Sequence, residues 1–476
     1  MPKPFAWLAI SAIAGTVLAA AGTSAWAQTP DAADAWDSTY QPIASTPTLI
    51  RNATVLVGDG LRLDGADLLM RDGLIVEVGS SLSAPDGTTQ IDATGKWLTP
   101  GLIDVHSHLG VYPSPGARAH ADGNEMTSPV TPQVWAEHSV WPQDPGFGAA
   151  LAGGVTTLQI LPGSGNLIGG RGVTLKNVAA ESYQAMKFPD APHGLKMACG
   201  ENPKRFYGGK GQAPMTRMGN VAGYRAAFQE AVEYREAWRR HESRGQNPST
   251  SRRGSAGSGN ENRQGPPKRD LRMETLAAVL EGEIMVHVHC YRADEMAVML
   301  DLAREFDFHI AAFHHGVEAY KLADRLAQEN VCGALWADWW GFKMEAYDGI
   351  VENIALVDRP EGSCAIVHSD SAEGIQRLNQ EAGKVMGHAA AIGMDIPPQR
   401  AIRWLAENAA RSLGILERTG TLEAGKMADV VLWNRDPFSV YAQAELVFID
   451  GALLYDRNDP RRQPVTDFML GQEVSP

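Results

Sequence analysis

The sequence predicts an α/β protein in which a (β/α)8 barrel of the TIM type carries a small β-sandwich domain. Between residues 99 and 418, strand-like runs alternate with helix-like stretches, a pattern typical of βα units around a parallel sheet. β-rich segments with Asp-Gly turns lie towards both ends of the chain. No glycine-rich phosphate turn follows an early strand, although a doubly wound sheet would require one. The barrel is therefore the favoured architecture.

The first 27 residues have the parts of a secretory signal peptide. Lys3 gives a weakly basic start, an apolar run begins at Phe5, and Ala25 and Ala27 supply the small residues of a cleavage site. We expect cleavage after Ala27 and a mature chain in the bacterial periplasm or outside the cell; the alternative is an uncleaved membrane anchor. No later stretch reaches about eighteen uninterrupted apolar residues, so we expect no integral membrane segment after cleavage.

Two β-rich segments, residues 28–98 and 419–476, are predicted to form one domain. Asp59-Gly60 and Asp72-Gly73 mark hairpins in the first segment, and Asp450-Gly451 marks one in the second. Because chain termini often lie close together, the two segments can build a single composite β-sandwich.

Eight strand-like runs define the barrel in residues 99–418. They are 102–107, 155–161, 172–178, 195–199, 284–289, 309–314, 332–337 and 364–369. An insertion at 239–270 is rich in Ser, Gly, Asn, Arg and Pro, which cannot bury enough apolar area to offset the entropy lost on ordering. We predict a disordered loop there, whose basic excess either stays solvated or docks an acidic partner.

Composition excludes several classes of protein. Of 476 residues, 44% are hydrophobic and 21% charged, which is close to globular averages and unlike a disordered chain. The formal net charge of −14 argues against binding along a nucleic acid. The four cysteines lie in apolar strand-like runs without a CxxC pair, so we expect buried free thiols rather than disulfides. They are Cys199, Cys290, Cys332 and Cys364.

The run TPGLIDVHSHLG carries the strongest chemical signal in the chain. His106 and His108 are two residues apart on a predicted strand, so both side chains point to the same face. They lie at the C-terminal end of that strand, where the active sites of barrels form. Two imidazoles there can bind one divalent cation, and zinc is the commonest partner of nitrogen ligands. We therefore predict a metal site at this strand end.

Three later strand ends supply further candidate ligands. In GEIMVHVHCYRADEM, His289 lies nearer the barrel mouth than His287. In FHIAAFHHGVEAYKLAD, the neighbours His314 and His315 alternate between faces, so we expect only one of them to face the barrel axis. Asp370 ends the run SCAIVHSD, and a carboxylate there can both bind a metal and accept a proton from water.

Asp370 has an alternative role as the N-cap of the helix predicted after it. Ser371 can cap that helix equally well. The ligand role is therefore favoured for Asp370, with the capping role open.

Several motifs together resemble the amidohydrolase superfamily, in its imidazolonepropionase-related branch. The motifs are GLIDVHSH, GVTTLQILPGSGNLIGG (154–170), GENPKR (200–205), TRMG (216–219), HVHCYRADEM and NAARSLGI…GTLEAGKMADVVLW. They are spread over nearly the whole predicted mature chain. The resemblance implies a metal-dependent hydrolase with one or two Zn²⁺ ions, two being favoured.

The resemblance also assigns individual metal ligands. The matching positions are His106 and His108 for the first strand, His289 for the fifth, His315 for the sixth and Asp370 for the eighth. In binuclear relatives a fourth-strand group, often a carboxylated lysine, bridges the two metals. Here Glu201, just past the strand end, is favoured over Lys196, which lies near the start of its strand.

The implied reaction is hydrolysis of an amide, cyclic amide or small-peptide bond by metal-activated water, with Asp370 as general base and then acid. Mononuclear deaminases of this superfamily add a glutamate in an HxxE-like run after the fifth strand. Here Cys290, Tyr291 and Arg292 follow His289, which favours amide hydrolysis. The alternatives are a lactonase or deaminase on the same metal site, or a non-catalytic binding protein of the same fold.

Substrate contacts are expected beside the metal ligands. Tyr291 and Arg292 follow a ligand directly, and Arg292 pairs either with a substrate carboxylate or with Asp294 or Glu295. Arg217 in TRMG is a third candidate. We expect a small-molecule substrate and no nucleic acid, and the resemblance allows a homo-oligomer.

Overall fold

A computed structural model describes residues 36–114, 116–245, 265–339 and 341–464. The strands are β1 Thr48–Leu56, β2 Arg62–Arg71, β3 Leu74–Gly79, β4 Thr89–Asp92, β5 Trp97–Pro100, β6 Leu102–Ser107, β7 Val155–Ile160, β8 Ile168–Lys176, β9 Gly194–Ala198, β10 Met285–Cys290, β11 Ile310–His315, β12 Cys332–Leu335, β13 Ala365–Val367, β14 Val430–Trp433, β15 Ala444–Ile449 and β16 Ala452–Asp456.

The α-helices are α1 Pro145–Ala152, α2 Glu201–Gly208, α3 Arg217–Gly245, α4 Leu271–Leu280, α5 Ala293–Phe306, α6 Ala323–Gln328, α7 Asn353–Val357, α8 Leu378–Ala391, α9 Pro398–Ala401 and α10 Glu407–Ser412. Short 3₁₀ turns occupy Arg118–His120, Ala136–Ser139, Tyr183–Ala185, Ala319–Leu322, Met344–Ala346, Ile375–Arg377, Ile402–Leu405 and Pro460–Arg462.

Strands β6 to β13 form one eight-stranded sheet in sequential order, which is the wall of a nearly closed barrel. The pairs are parallel except that β8 runs antiparallel to both β7 and β9. Nearly every residue of these strands is buried, as expected for strands covered on both faces. Each predicted strand corresponds to one of these eight, so the barrel prediction is confirmed. Because β8 runs antiparallel to β7, the glycine-rich segment between them forms the turn of a hairpin at the barrel mouth.

The barrel is tied together where its first and last strands meet. The backbone N–H of Asp370 donates to the carbonyl of His106 at 3.0 Å. The buried Asp104 carboxylate accepts the backbone N–H groups of His106 and Ser369, each at 3.2 Å. Burial raises the pKa of Asp104 to about 7. These bonds fix the segment carrying Asp370 against the segment carrying His106.

The two ends of the chain share the second sheet, which is the predicted β-rich domain. Its strand order is β16-β15-β14-β5-β1-β2-β3, and β4 pairs with β1. β14 pairs antiparallel with β5, so the C-terminal strands continue the N-terminal ones. Apolar side chains from both segments, such as Leu68, Leu98, Val430 and Phe448, form a separate core under this sheet.

A buried ion cluster joins the barrel to the β-rich domain. Lys176, the last residue of β8, has its ammonium 2.9 Å from an Asp429 oxygen and 2.8 Å from an Asp450 oxygen. All three side chains are almost fully buried. The hydroxyls of Tyr40 and Thr419 donate to the same carboxylates. The cluster therefore holds together three distant parts of the chain.

The expectation of free thiols is wrong. Cys199 and Cys290 form one disulfide and Cys332 and Cys364 form another. The cause is the register of the parallel strands. His289 lies opposite Ala198, and the residue that follows each of them is a cysteine. Gly333 lies opposite Ala365, and the residue that precedes each of them is a cysteine. The sequence spacing of 91 and 32 residues gives no sign of either pairing.

Part of the predicted insertion is helical. Helix α3 runs to Gly245, so residues 239–245 belong to it rather than to a disordered loop. Residues 246–264 lie outside the described residues, as does the predicted signal peptide. None of the described helices has both the length and the apolar content needed to cross a bilayer.

Lys176→Met is expected to lower the free energy of unfolding by about 3–5 kcal/mol, because it leaves two buried carboxylates without their cation. Urea denaturation followed by circular dichroism measures the loss. Lys96→Met is the matched control, since the Lys96–Glu445 pair at 2.5 Å is partly exposed and is expected to contribute about 1 kcal/mol or less. Equal losses in the two variants would contradict the bridging role of Lys176.

Candidate metal centre

Three predicted ligands meet at the mouth of the barrel. The Nε2 atoms of His106 and His108 lie 3.5 and 3.3 Å from the same Asp370 oxygen, Oδ1. One donor atom from each residue lies within 4.8 Å of the others. His106 is buried, whereas His108 and Asp370 are each about one-fifth exposed. The cluster is therefore closed on the barrel side and open towards solvent at the mouth.

Each histidine of the β6 pair is held by a hydrogen-bond partner behind it. The Nδ1–H of His108 donates to the carbonyl of Leu161 at 2.8 Å, and its Nε2 is turned towards Asp370. The Nδ1 of His106 lies 2.8 Å from Nδ1 of His314. Both rings thus present Nε2 to the cluster.

His289 and His315 complete a ring of imidazoles around the cluster. Their ring centroids are 4.7 Å apart, and Nδ1 of His315 lies 3.8 Å from the second Asp370 oxygen. The Nδ1 atoms of both are buried without a hydrogen-bond partner. Buried nitrogens without partners are rare unless a ligand or ion uses them. Each side chain therefore keeps one ring nitrogen without a hydrogen-bond partner among the described residues, and that of His315 lies beside the Asp370 carboxylate.

The expectation that only one of His314 and His315 can face inward is wrong. Both rings lie beside His106, with centroid distances of 4.8 and 4.6 Å. His315 has a φ of +71°, in the left-handed region, which ends the regular alternation of β11. Asp370 also has a left-handed φ, of +51°. Strained backbone of this kind is common at functional sites.

The capping alternative for Asp370 is taken by its neighbour. The Ser371 hydroxyl accepts the backbone N–H groups of Gly374 at 3.0 Å and Glu373 at 3.3 Å. The Asp370 carboxylate faces the histidines instead.

Lys196, rather than Glu201, reaches the histidines. Its Nζ lies 3.4 Å from Nε2 of His106 and donates to the carbonyl of Pro162 at 2.9 Å. Glu201 begins helix α2, and its carboxylate lies 3.4 Å from Nζ of Lys343. The four-carbon stem of a lysine carries its amine well beyond its own position on the strand. A comparison of backbone positions alone therefore does not show which of the two side chains lies nearer His106.

Burial sets the charge of the groups around the cluster. It lowers the pKa of His106, His289 and His315 well below the usual value, with Lys196 adding to the effect. These imidazoles are therefore neutral and have a lone pair to offer. Burial also lowers the pKa of Lys196 to about 8.

The donor set fits a divalent cation. Two Nε2 atoms and a carboxylate oxygen are the nitrogen and oxygen donors that zinc takes in catalytic sites. The unpartnered nitrogens of His289 and His315 give two further positions.

Two residues that were not predicted from the sequence, Asn202 and Lys343, lie beside the cluster. The Asn202 amide nitrogen lies 3.2 Å from Nε2 of His289 and donates to the Ser164 hydroxyl at 2.8 Å. Lys343 donates to the Asn202 oxygen at 3.2 Å and lies 4.0 Å above the Tyr291 ring. The GENPKR motif marked this segment, but only the folded loop after β12 brings Lys343 to it.

The three predicted substrate residues are engaged within the chain. Tyr291 is buried with its ring 4.8 Å from that of His289. Arg292 makes two bonds to Asp294, at 2.9 and 3.1 Å, which is the salt-bridge alternative. Arg217 pairs with Glu295 at 3.0 Å and also with Glu345.

A cavity of about 510 Å³ opens beside these residues at the same end of the barrel. Its lining comes from the segments that follow β9, β10 and β12: Glu201, Lys204, Arg205, Met215, Arg217, Arg292, Met344 and Glu345. Neither Lys204 nor Arg205 is paired with a carboxylate among the described residues. Arg205 also lines a neighbouring cavity of about 480 Å³ that includes Asn202. These two cations are therefore available to an anionic ligand.

Comparison with known proteins places this arrangement in a family. A model of the amidohydrolase family matches residues 366–455. Amidohydrolase tasK of Hapsidospora irregularis is 33% identical over 444 residues, which cover 86% of this chain but only 43% of that protein. Imidazolonepropionase of Mesorhizobium japonicum is 25% identical over 428 residues, covering 83% of this chain and 90% of its own length.

A solved structure supports the same family over the full length of the matched chain. An amidohydrolase from Thermotoga maritima superposes with a TM-score of 0.74 at 32% identity, covering 86% of this chain and 100% of the other. The chain that shows this similarity also contains the barrel, the β-rich domain and the histidine–aspartate cluster. The chain therefore belongs to the amidohydrolase superfamily.

Proposed function

We propose that the protein hydrolyses an amide, cyclic amide or small-peptide bond with the help of a divalent metal, zinc being the expected ion. The observation that carries the proposal is the group of three donor atoms from His106, His108 and Asp370 at the barrel mouth. A bound divalent cation would lower the pKa of water and polarise the carbonyl of the substrate. His289 and His315 would supply further ligands through their unpartnered nitrogens.

Asp370 is the proposed proton carrier. Its Oδ1 faces the two β6 histidines, while Oδ2 lies on the side of His315. The side chain is about one-fifth exposed, so solvent reaches the carboxylate. The carboxylate would accept a proton from water and give it to the amine nitrogen as the C–N bond breaks. The left-handed backbone and the bond to the His106 carbonyl hold it in this position.

Lys196 is the proposed bridging group of a two-metal site. Addition of CO₂ to its amine, with loss of one proton, would form a carbamate with two oxygen donors. The amine is fully buried next to Nε2 of His106, which is where such oxygens would be needed. The position of Lys196 supports it over Glu201, whose carboxylate is engaged by Lys343.

Amide hydrolysis is favoured over deamination on this site. The residues that follow His289 give no carboxylate at the HxxE spacing, because Arg292 occupies the third position after it. Lactone hydrolysis uses the same carbonyl chemistry and is an outcome of the test below.

The compartment proposed for the protein is the periplasm or the extracellular space. The N-terminal sequence has the features of a signal peptide. Two disulfides support the same proposal, because disulfides persist mainly in oxidising compartments.

A substrate panel tests the proposed reaction. Zinc-loaded protein is expected to hydrolyse N-acyl amino acids or dipeptides in preference to lactones and amino-purines, to lose activity in a chelator and to regain it with zinc. Asp370→Asn is expected to lower kcat by about 10²–10⁴-fold, because the proton carrier is lost. Asp338→Asn, at a surface carboxylate paired with Lys384, is the control and should keep full activity. Preference for lactones or deamination, or full activity in Asp370→Asn, would contradict the proposal.

The cavity with Lys204 and Arg205 indicates a substrate that carries a carboxylate. In Arg205→Met, kcat/KM for a carboxylate-bearing amide is expected to fall by about 10–100-fold, since a hydrogen bond to a charged group is lost. The matching carboxamide should change little. Lys210→Met, at an exposed position two residues beyond the end of helix α2, serves as the control. Equal loss on both substrates would show that Arg205 acts on the fold of the loop and not on the substrate.

A further inference from the structure

A chain of buried polar side chains lies in the barrel core behind the candidate metal centre. Nδ1 of His106 lies 2.8 Å from Nδ1 of His314, and Nε2 of His314 lies 2.9 Å from Nδ1 of His287. Nε2 of His287 lies 3.3 Å from the amide nitrogen of Gln159. All four side chains are at most 1% exposed. The chain thus crosses the barrel interior from β6 through β11 and β10 to β7.

The three imidazoles of this chain are neutral. All three rings are buried in the barrel interior, and burial disfavours the charged form of an imidazole. A neutral imidazole has one N–H donor and one acceptor nitrogen. Each contact in the chain therefore needs a donor on one side and an acceptor on the other, so all contacts must run in the same direction.

Only two directions satisfy every contact. In the first, His106 donates from Nδ1 to His314, His314 donates from Nε2 to His287, and His287 donates from Nε2 to the amide oxygen of Gln159. This direction leaves Nε2 of His106 unprotonated. In the second, the Gln159 amide nitrogen donates to His287 and every bond reverses, which puts a proton on Nε2 of His106.

The orientation of the Gln159 amide indicates which of the two hydrogen-bond directions is present. Its nitrogen faces Nε2 of His287, and its oxygen, Oε1, is buried without a hydrogen-bond partner. This orientation fits the second direction. A rotation of the amide by 180° would present the oxygen to His287 and support the first direction.

We propose that His314 and His287 are positioning residues that set the tautomer of His106, and that metal binding selects the first direction of the chain. With a cation on Nε2 of His106, the proton must lie on Nδ1, and the Gln159 amide turns to accept from His287. Without the cation the chain runs the other way. Each ring keeps one proton in both directions, so the charge of the chain does not change. The inference rests on the metal site of the proposed function but not on which bond is hydrolysed.

The metal would therefore bind a histidine, His106, whose orientation and basicity are set by the hydrogen bond at its Nδ1. Hydrogen-bond partners of this kind typically change metal affinity by about 10–100-fold when they are removed. The effect should depend on an acceptor facing Nδ1 of His106 and not on the bulk of the side chain that fills the core.

Nitrogen-15 NMR of the full chain labelled at histidine tests the direction of the hydrogen bonds. In the zinc-loaded protein, His106 is expected as the Nδ1–H tautomer and His287 and His314 as Nε2–H tautomers, with the resonances assigned from single-histidine variants. After removal of zinc, His287 and His314 are expected to change to Nδ1–H. The same tautomers at both residues with and without zinc would overturn the proposal.

A pair of variants of similar size separates positioning from packing. His314→Asn keeps an acceptor oxygen at the place of Nδ1, whereas His314→Leu removes it. Zinc affinity, measured by competition with a chromogenic chelator, is expected to fall by about 10–100-fold in His314→Leu and to stay close to that of the unsubstituted protein in His314→Asn. His309→Leu, at the exposed position just before the same strand, is the control, and thermal unfolding confirms that each variant folds.

Equal weakening in His314→Asn and His314→Leu, or no weakening in either, would overturn the positioning role. The measurement needs no substrate, so it is independent of the reaction catalysed. A protein that binds zinc as expected but hydrolyses no amide would contradict the proposed function alone. A protein that binds no zinc would contradict both.

Discussion

The register of the parallel strands β9, β10 and β11 is the constraint on which the candidate site depends. His289 lies opposite Ala198 on one side and opposite His314 on the other. A slip of one residue would turn every side chain of a strand to the other face. In the observed register, His287 and His289 both lie on the interior side, one deep in the barrel and one at its mouth.

The same register also determines the position of a disulfide and of a buried lysine beside the site. It places Cys199 beside Cys290, so a disulfide links the ends of β9 and β10 directly after His289. It also places Lys196 opposite His287, below the mouth, from where its side chain reaches His106. The disulfide and the buried lysine are thus consequences of one strand alignment. The left-handed residues at positions 315 and 370 are the points at which the site departs from regular strand geometry.

Much of the fold followed from the sequence, because it rests on local signals. Alternating strand and helix patterns gave the eight barrel strands, and Asp-Gly turns marked the β-rich segments. The spacing of His106 and His108 on a strand end correctly placed two rings on one face, and Asp370 lies with them. These features depend on periodicity and on the ends of individual elements.

The features that were missed depend on contacts between strands or on side-chain reach. Neither disulfide can be read from spacing, because strand register pairs the cysteines. The nearness of Lys196 to His106 does not follow from backbone position, because the long lysine side chain spans the difference, and the choice between Lys196 and Glu201 as the bridging group stays a prediction. His314 was expected to alternate with His315, and a single positive φ removes that alternation. Strand periodicity alone contains none of this information.

Metal content per chain, measured by inductively coupled plasma mass spectrometry on protein equilibrated with zinc and bicarbonate, tests whether Lys196 bridges two metal ions. Two zinc ions are expected in the unsubstituted protein, with loss of one or both in Lys196→Ala and retention of both in Glu201→Ala. Loss of zinc in Glu201→Ala together with full retention in Lys196→Ala would contradict the bridging role of Lys196.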